Sequence, residues 1–127
     1  MQEKHLYEYS VIRVLPAVER EEFVNVGIIL FSKKAKFIKV YFALNEKRLA
    51  CFSGDLDFEQ LKSNLQSFEK IADGEKSGGK IAEMDLPSRF RWLTAVRSSV
   101  IQTSRPHPGM SVDLEKTAKR LFEDLVL

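Results

Sequence analysis

The sequence predicts an α+β domain: a mainly antiparallel four-stranded sheet, built of a three-strand meander plus one later strand, with two long and one or two short helices packed on it. Three observations predict it. Apolar residues recur at every second position over Leu6–Leu15 and Phe23–Phe42, the period of a strand with alternating faces. They recur every third to fourth position over 58–72 and 114–125, the period of a helix with one buried stripe. The strand stretches come first, then helices, one more strand and a last helix. That order suits an antiparallel sheet with helices packed on one face.

Leu6–Leu15, LYEYSVIRVL, is the first strand, with Tyr7, Tyr9 and Val11 on one face and Ile12 and Val14 on the other. Pro16 lacks the N–H that a ladder needs and ends it. The short charged link after it suits an antiparallel return. Phe23–Phe42, FVNVGIILFSKKAKFIKVYF, is then a β-hairpin at the centre of the fold. One row of its first strand is Val24, Val26, Ile28 and Leu30. The other is Phe23, Asn25, Gly27, Ile29 and Phe31. A strand apolar on both faces belongs in the middle of a sheet. In the second strand Ile38, Val40 and Phe42 oppose Phe37, Lys39 and Tyr41. A three-residue loop of Lys33, Lys34 and Ala35 pairs Leu30 with Ile38 and Ile28 with Val40, which keeps both apolar rows on one face. Asn25 and Gly27 interrupt the second row. A buried Asn must be hydrogen-bonded, and a strand Gly marks a bulge or a close backbone approach.

Asn45 caps a short helix over Glu46–Cys51, and Gly54 breaks it. Asp55 or Asp57 caps a longer helix whose stripe is Phe58, Leu61, Leu65, Phe68 and Ala72, ending near Asp73–Gly74. Glu75–Lys80 is a loop. Pro87 suits the first turn of a second short helix that buries Phe90 and Leu93, with Trp92 as the third candidate. Ser98–Ser104 is the fourth strand. In Arg105–Gly109, RPHPG, two prolines forbid a regular ladder and predict an irregular connection. Ser111 or Asp113 caps the last helix, with stripe Leu114, Ala118, Leu121, Phe122 and Leu125.

The 127 residues are expected to form one domain, 1–127, with enough chain for a single core. No run approaches the ~20 apolar residues of a membrane span, and the polar N-terminus lacks the features of a signal peptide. With a single cysteine, Cys51, excluding an internal disulfide, a cytoplasmic location is expected. His5, His107 and Cys51 have no ligand spacing, and no phosphate-binding or dinucleotide fingerprint is present, so no metal or cofactor is expected.

Net charge is only +2, but it is segregated. Phe23–Asn45 holds four lysines and no acid, and Leu86–Val112 four arginines and no acid, so these windows carry +4 each and the rest −6. Segregation of this kind builds a basic face, or reflects core strands that exclude charge. Arg89, Arg91, Arg97 and Arg105, with the neutral donors Ser99, Gln102 and Ser104, form the leading candidate site. The planar guanidinium suits phosphate or carboxylate. His107 lies in the same stretch, and Glu22, Asn25 and Lys39 offer a second wall from the hairpin. The bland reading stands beside it: the arginines pair with Glu8, Glu22 or Asp85 and staple the fold. Ser98, Ser99, Thr103 and Ser104 lie near His107 in sequence, yet no elbow motif surrounds a nucleophile. Tyr7, Tyr9 and Tyr41 with Lys39 fit either an aromatic-basic surface for single strands or packing beneath a helix.

EFVNVGIILF (Glu22–Phe31) and RFRWLTAVRSSVIQTS (Arg89–Ser104), followed by His107 and Gly109, resemble the signatures of a small bacterial family catalogued as domain of unknown function 3037. YSVIRVLP (Tyr9–Pro16) and LFEDLV (Leu121–Val126) resemble its ends, so the resemblance covers nearly the whole chain. It implies a bacterial, cytoplasmic protein of single-domain size and no assigned reaction. Members of that family are often encoded beside kinases similar to the HipA type, which implies a HipA-like kinase as a candidate partner by association. The combined expectation is an accessory protein without catalysis, binding a protein partner through Arg89–Gly109 and the adjacent hairpin face. The alternatives are a nucleic-acid or phosphate-ligand module on the same face, and a small phosphate-handling enzyme.

Overall fold

The computed structural model describes residues 3–15, 22–50, 57–95 and 100–127. Its strands are β1 (His5–Val14), β2 (Val24–Ser32), β3 (Phe37–Phe42), β4 (Ile101–Thr103) and β5 (His107–Ser111). Its α-helices are α1 (Glu46–Ala50), α2 (Phe58–Asp73), α3 (Leu86–Leu93) and α4 (Leu114–Leu125). Every strand pairing is antiparallel, and the order across the sheet is β3-β2-β1, with β4 and β5 placed one after the other along the far edge of β1. The expected α+β class and meander are therefore present, with one strand more than predicted.

Local chemistry sets the helix ends. Asn45 Oδ1 accepts from Arg48 N at the start of α1. Asp57, Asp85 and Asp113 accept from the backbone N–H groups of Gln60, Ser88 and Lys116, opening α2, α3 and α4. Gly74 closes α2 with φ 71°, the left-handed conformation that glycine adopts without steric cost. The segment Glu75–Lys80, expected as a loop, enters a 3-10 turn at Lys76–Gly78, and a second follows at Ile81–Glu83.

Two features differ from the expected hairpin. Ile12 pairs with Gly27 but Arg13 pairs with Asn25, so β2 carries a bulge at Val26. The bulge reverses the alternation within β2. Val24 and Val26 lie with Ile29 and Phe31 in one core cluster, whereas Ile28 and Leu30 lie in the other. The turn is also one residue longer than expected: Ser32 pairs with Phe37, and Lys33–Lys36 form a four-residue connection with Lys36 at φ 53°. Phe31 therefore faces Ile38 and Ile29 faces Val40, in place of the expected Leu30–Ile38 and Ile28–Val40 pairs.

The expectation of helices on one face is corrected as well. Leu61, Leu65, Phe68 and Ile71 of α2 and Phe90 and Leu93 of α3 pack against Ile12, Val14, Ile29, Phe31 and Val40. Leu114, Ala118, Leu121, Phe122 and Leu125 of α4 pack against Tyr7, Ile28 and Leu30 on the opposite side. A central strand apolar on both faces needs cover on both, and the three layers supply it. Trp92, the third core candidate of α3, is instead 37% exposed.

The segment expected to connect irregularly, Arg105–Gly109, enters β5. Tyr9 pairs with His107, Glu8 with Pro108 and Tyr7 with Gly109. Proline is tolerated because β5 is an edge strand. Gly109 is required by close approach, since a Cβ there would meet the Tyr7 ring 2.4 Å away. The expected ends at Pro16 and Gly54, the expected cap at Asp55, and Cys51 all lie outside the described residues.

Candidate functional site

The arginine segment does not converge on one cleft among the described residues. Arg89 is drawn into the fold. Its Nη1 donates to the carbonyls of Ile71 (3.2 Å) and Ala72 (3.1 Å) in the last turn of α2. Ile71 O also accepts from Gly74 N (3.1 Å) at the cap, and a cation is favoured at these last-turn carbonyls by the helix dipole. Gly74 makes room for it: a Cβ at that position would sit 2.6 Å from Arg89 Nη1. Arg89→Met is expected to lower stability by about 1.5 kcal/mol, read as an earlier urea midpoint, with Arg89→Lys falling between the two.

Ser104 is likewise absorbed into the sheet. Val11 N donates to Ser104 Oγ (2.9 Å), while Ser104 N donates to Val11 O (2.8 Å). The hydroxyl stands where a strand carbonyl would, at the break between β4 and β5. It also donates to Arg105 O (3.1 Å).

Gln102 and His107 occupy one face of the sheet, the face that α4 covers elsewhere. Gln102 pairs in register with Arg13, and His107 with Tyr9. The His107 and Tyr9 rings lie 5.3 Å apart, and the Arg13 guanidinium sits 4.1 Å over the Phe23 ring. Arg105 is exposed between the two strands. Arg13 was not singled out from sequence, although its place on the Tyr7–Tyr9–Val11 face was a signal for it.

The remaining predicted residues lie apart. Asn25 Nδ2 donates to Leu125 O (3.1 Å) and ties β2 to the end of α4. Lys39 lies on the opposite edge strand, 5.5 Å from the Tyr41 ring. Glu22 is exposed just before β2. Arg91 is exposed on α3 next to Trp92, which helps line an apolar groove of about 390 Å³ with Phe68, Ile71 and Ile101. Arg97 and Ser99 lie outside the described residues. Among the described residues no group of three or more His, Cys, Asp or Glu side chains is placed to hold a metal ion.

Sequence reasoning missed a second surface, where β5 turns into α4. A groove of about 690 Å³ there is lined by Lys4, Lys116, Lys119 and Arg120, with Met110 and Val112 beside them and Asp113 and Glu123 as its acids. Leu6 and Met110 are register partners, 58% and 57% exposed, and Val112 is 45% exposed. The acid Glu115 points elsewhere and accepts a hydrogen bond from the Tyr41 hydroxyl. Burial, then that bond, then the Glu115 charge push the Tyr41 pKa up from 10.0 to about 12. A raised folded-state pKa gives stability present below the unfolded value and lost as pH rises through the folded one. Tyr41 is therefore expected to form phenolate near pH 12 in an absorbance titration, and Tyr41→Phe removes that phase.

Comparison with family models matches residues 9–126 to the family described as protein of unknown function (DUF3037). The chain belongs to the DUF3037 family. The family resemblance read from the sequence is thereby shown. No curated protein and no solved structure gives a significant match to this DUF3037 protein. Among its described residues no helix is long and apolar enough to cross a membrane.

Proposed function

We propose that this DUF3037 protein acts by binding another protein at the corner where β1, β5 and α4 meet. One observation carries the reading: Leu6, Met110 and Val112 are large apolar side chains, each 45% exposed or more, gathered at that corner. Scattered exposed apolar residues are ordinary, but neighbouring ones mark interaction sites. Contact there is made by side chains. Pro108 supplies no N–H, so the outer edge of β5 is a poor template for an added strand. A HipA-like kinase, implied by the family resemblance, is one partner to try.

The test is affinity purification with the full chain against a Met110→Glu variant, after nuclease treatment. The complex is then reconstituted from purified components. A stoichiometric complex that survives nuclease and is lost on Met110→Glu supports the reading. Recovery unaffected by Met110→Glu, or abolished by nuclease, overturns it. The rings of Tyr9 and His107, with Arg13 and Arg105 beside them, favour a second reading, single-stranded nucleic acid. It requires a salt-dependent oligonucleotide shift that is lost when Arg13 and Arg105 are both changed to Ala.

A further inference from the structure

The chemistry of the α4 flank says what kind of protein segment fits the corner, an inference that rests on the protein-binding reading above. Lys116, Lys119 and Arg120 are spaced three and four apart, so the helix gathers them on one side. Lys4, just before β1, joins them at the groove. Four cations thus meet two acids, and Asp113 already spends one carboxylate oxygen on the Lys116 N–H as the helix cap. Among the described residues none of the four cationic side chains has a carboxylate or hydrogen-bond partner. The apolar rim is continuous with this basic floor, because Met110 and Val112 line the same groove.

We infer that the α4 flank binds an acidic segment of a partner protein that carries an apolar side chain, carboxylates meeting Lys4, Lys116, Lys119 and Arg120 and the apolar group covering Met110 and Val112. Charge complementarity selects the acidic residues and gives the encounter its salt dependence. The exposed apolar rim favours a peptide over a nucleic-acid backbone, which offers phosphate and sugar where Met110 and Val112 need apolar cover.

The experiment uses the full-length chain and fluorescein-labelled peptides, read by anisotropy. The probes are an Asp/Glu-rich peptide with one central Leu, the same peptide with Leu replaced by Ser, its Lys-rich counterpart, and a single-stranded oligonucleotide. The acidic Leu peptide is expected to bind best. The double variant Lys116→Glu with Arg120→Glu is expected to weaken it about tenfold or more, and salt to weaken it further. Both substituted side chains are exposed, so an unchanged melting temperature shows the variant is folded. The inference is overturned if the acidic peptide binds no better than the basic one, if charge reversal leaves affinity unchanged, or if the oligonucleotide competes it away. Should the acidic probes fail while a purified partner still depends on Met110, the charge assignment falls and protein binding stands. Should both fail, both fall.

Discussion

Gly27→Ala is expected to destabilise the protein by about 2–3 kcal/mol, although it adds one methyl group. A Cβ on Gly27 would lie 2.5 Å from the carbonyl oxygen of Tyr41 and 3.0 Å from Phe42 Cβ. The first contact is with backbone, which cannot rotate aside, so β2 and β3 must separate where they pair. The bulge at Val26 makes this the point at which β2 is bent. The expected readout is a urea midpoint lowered by roughly 1 M, taking a slope of about 2 kcal/mol per M for a domain of this size. An Ala variant as stable as the parent would show that the strands do not approach so closely.

The second large effect concerns two neighbours. Ile29 and Leu30 are both fully buried but belong to opposite core clusters, Ile29 under α2 and α3 and Leu30 under α4. Ile29→Ala and Leu30→Ala are each expected to cost about 3 kcal/mol, from lost transfer energy and the cavity left behind. In a sheet covered on one side, one of two successive residues faces water and its truncation costs little. Equal, large losses in denaturant melts are therefore the signature of the three-layer arrangement. A Leu30→Ala cost below about 1 kcal/mol would mean that α4 does not cover β2.

The same residues explain what was legible in the sequence. Strand periodicity and capping residues act locally, so β1, β2, α2 and α4 were readable from their own segments. The register of β2 against β3 was not. Register is specified when a slip moves apolar residues into water. Here Ile28 and Ile29, or Leu30 and Phe31, are interchangeable in that respect, because both faces of β2 are covered. Only the bulge and the turn at Lys36 decide, and neither has a hydrophobic signature. β5 was missed because its prolines argue against a ladder, a rule that relaxes at an edge.

The candidate site was harder to read for a different reason. Charge counted along the chain highlights the arginines of Leu86–Val112, yet Arg89 is consumed by the carbonyls of α2. Along α4 the count is neutral, because Glu115, Glu123 and Asp124 offset Lys116, Lys119 and Arg120. The helix sorts them in part: Glu115 turns to Tyr41, and of these three acids Glu123 lines the groove with the cations. Linear charge windows average away what a period of 3.6 separates.

The Val11–Ser104 bond joins positions 93 apart, and β1 lies between a near neighbour in sequence and this distant one. That placement sets an order of assembly. β1, β2 and β3 close short loops and pair first. β4 and β5 must close a loop of nearly the whole chain before they gain a ladder, which slows folding relative to a topology of local contacts. Until then the outer edge of β1 is unpaired and a template for other chains. The amide of Val11 reports the last event: its hydrogen exchange should slow only when Ser104 arrives, in step with the global transition.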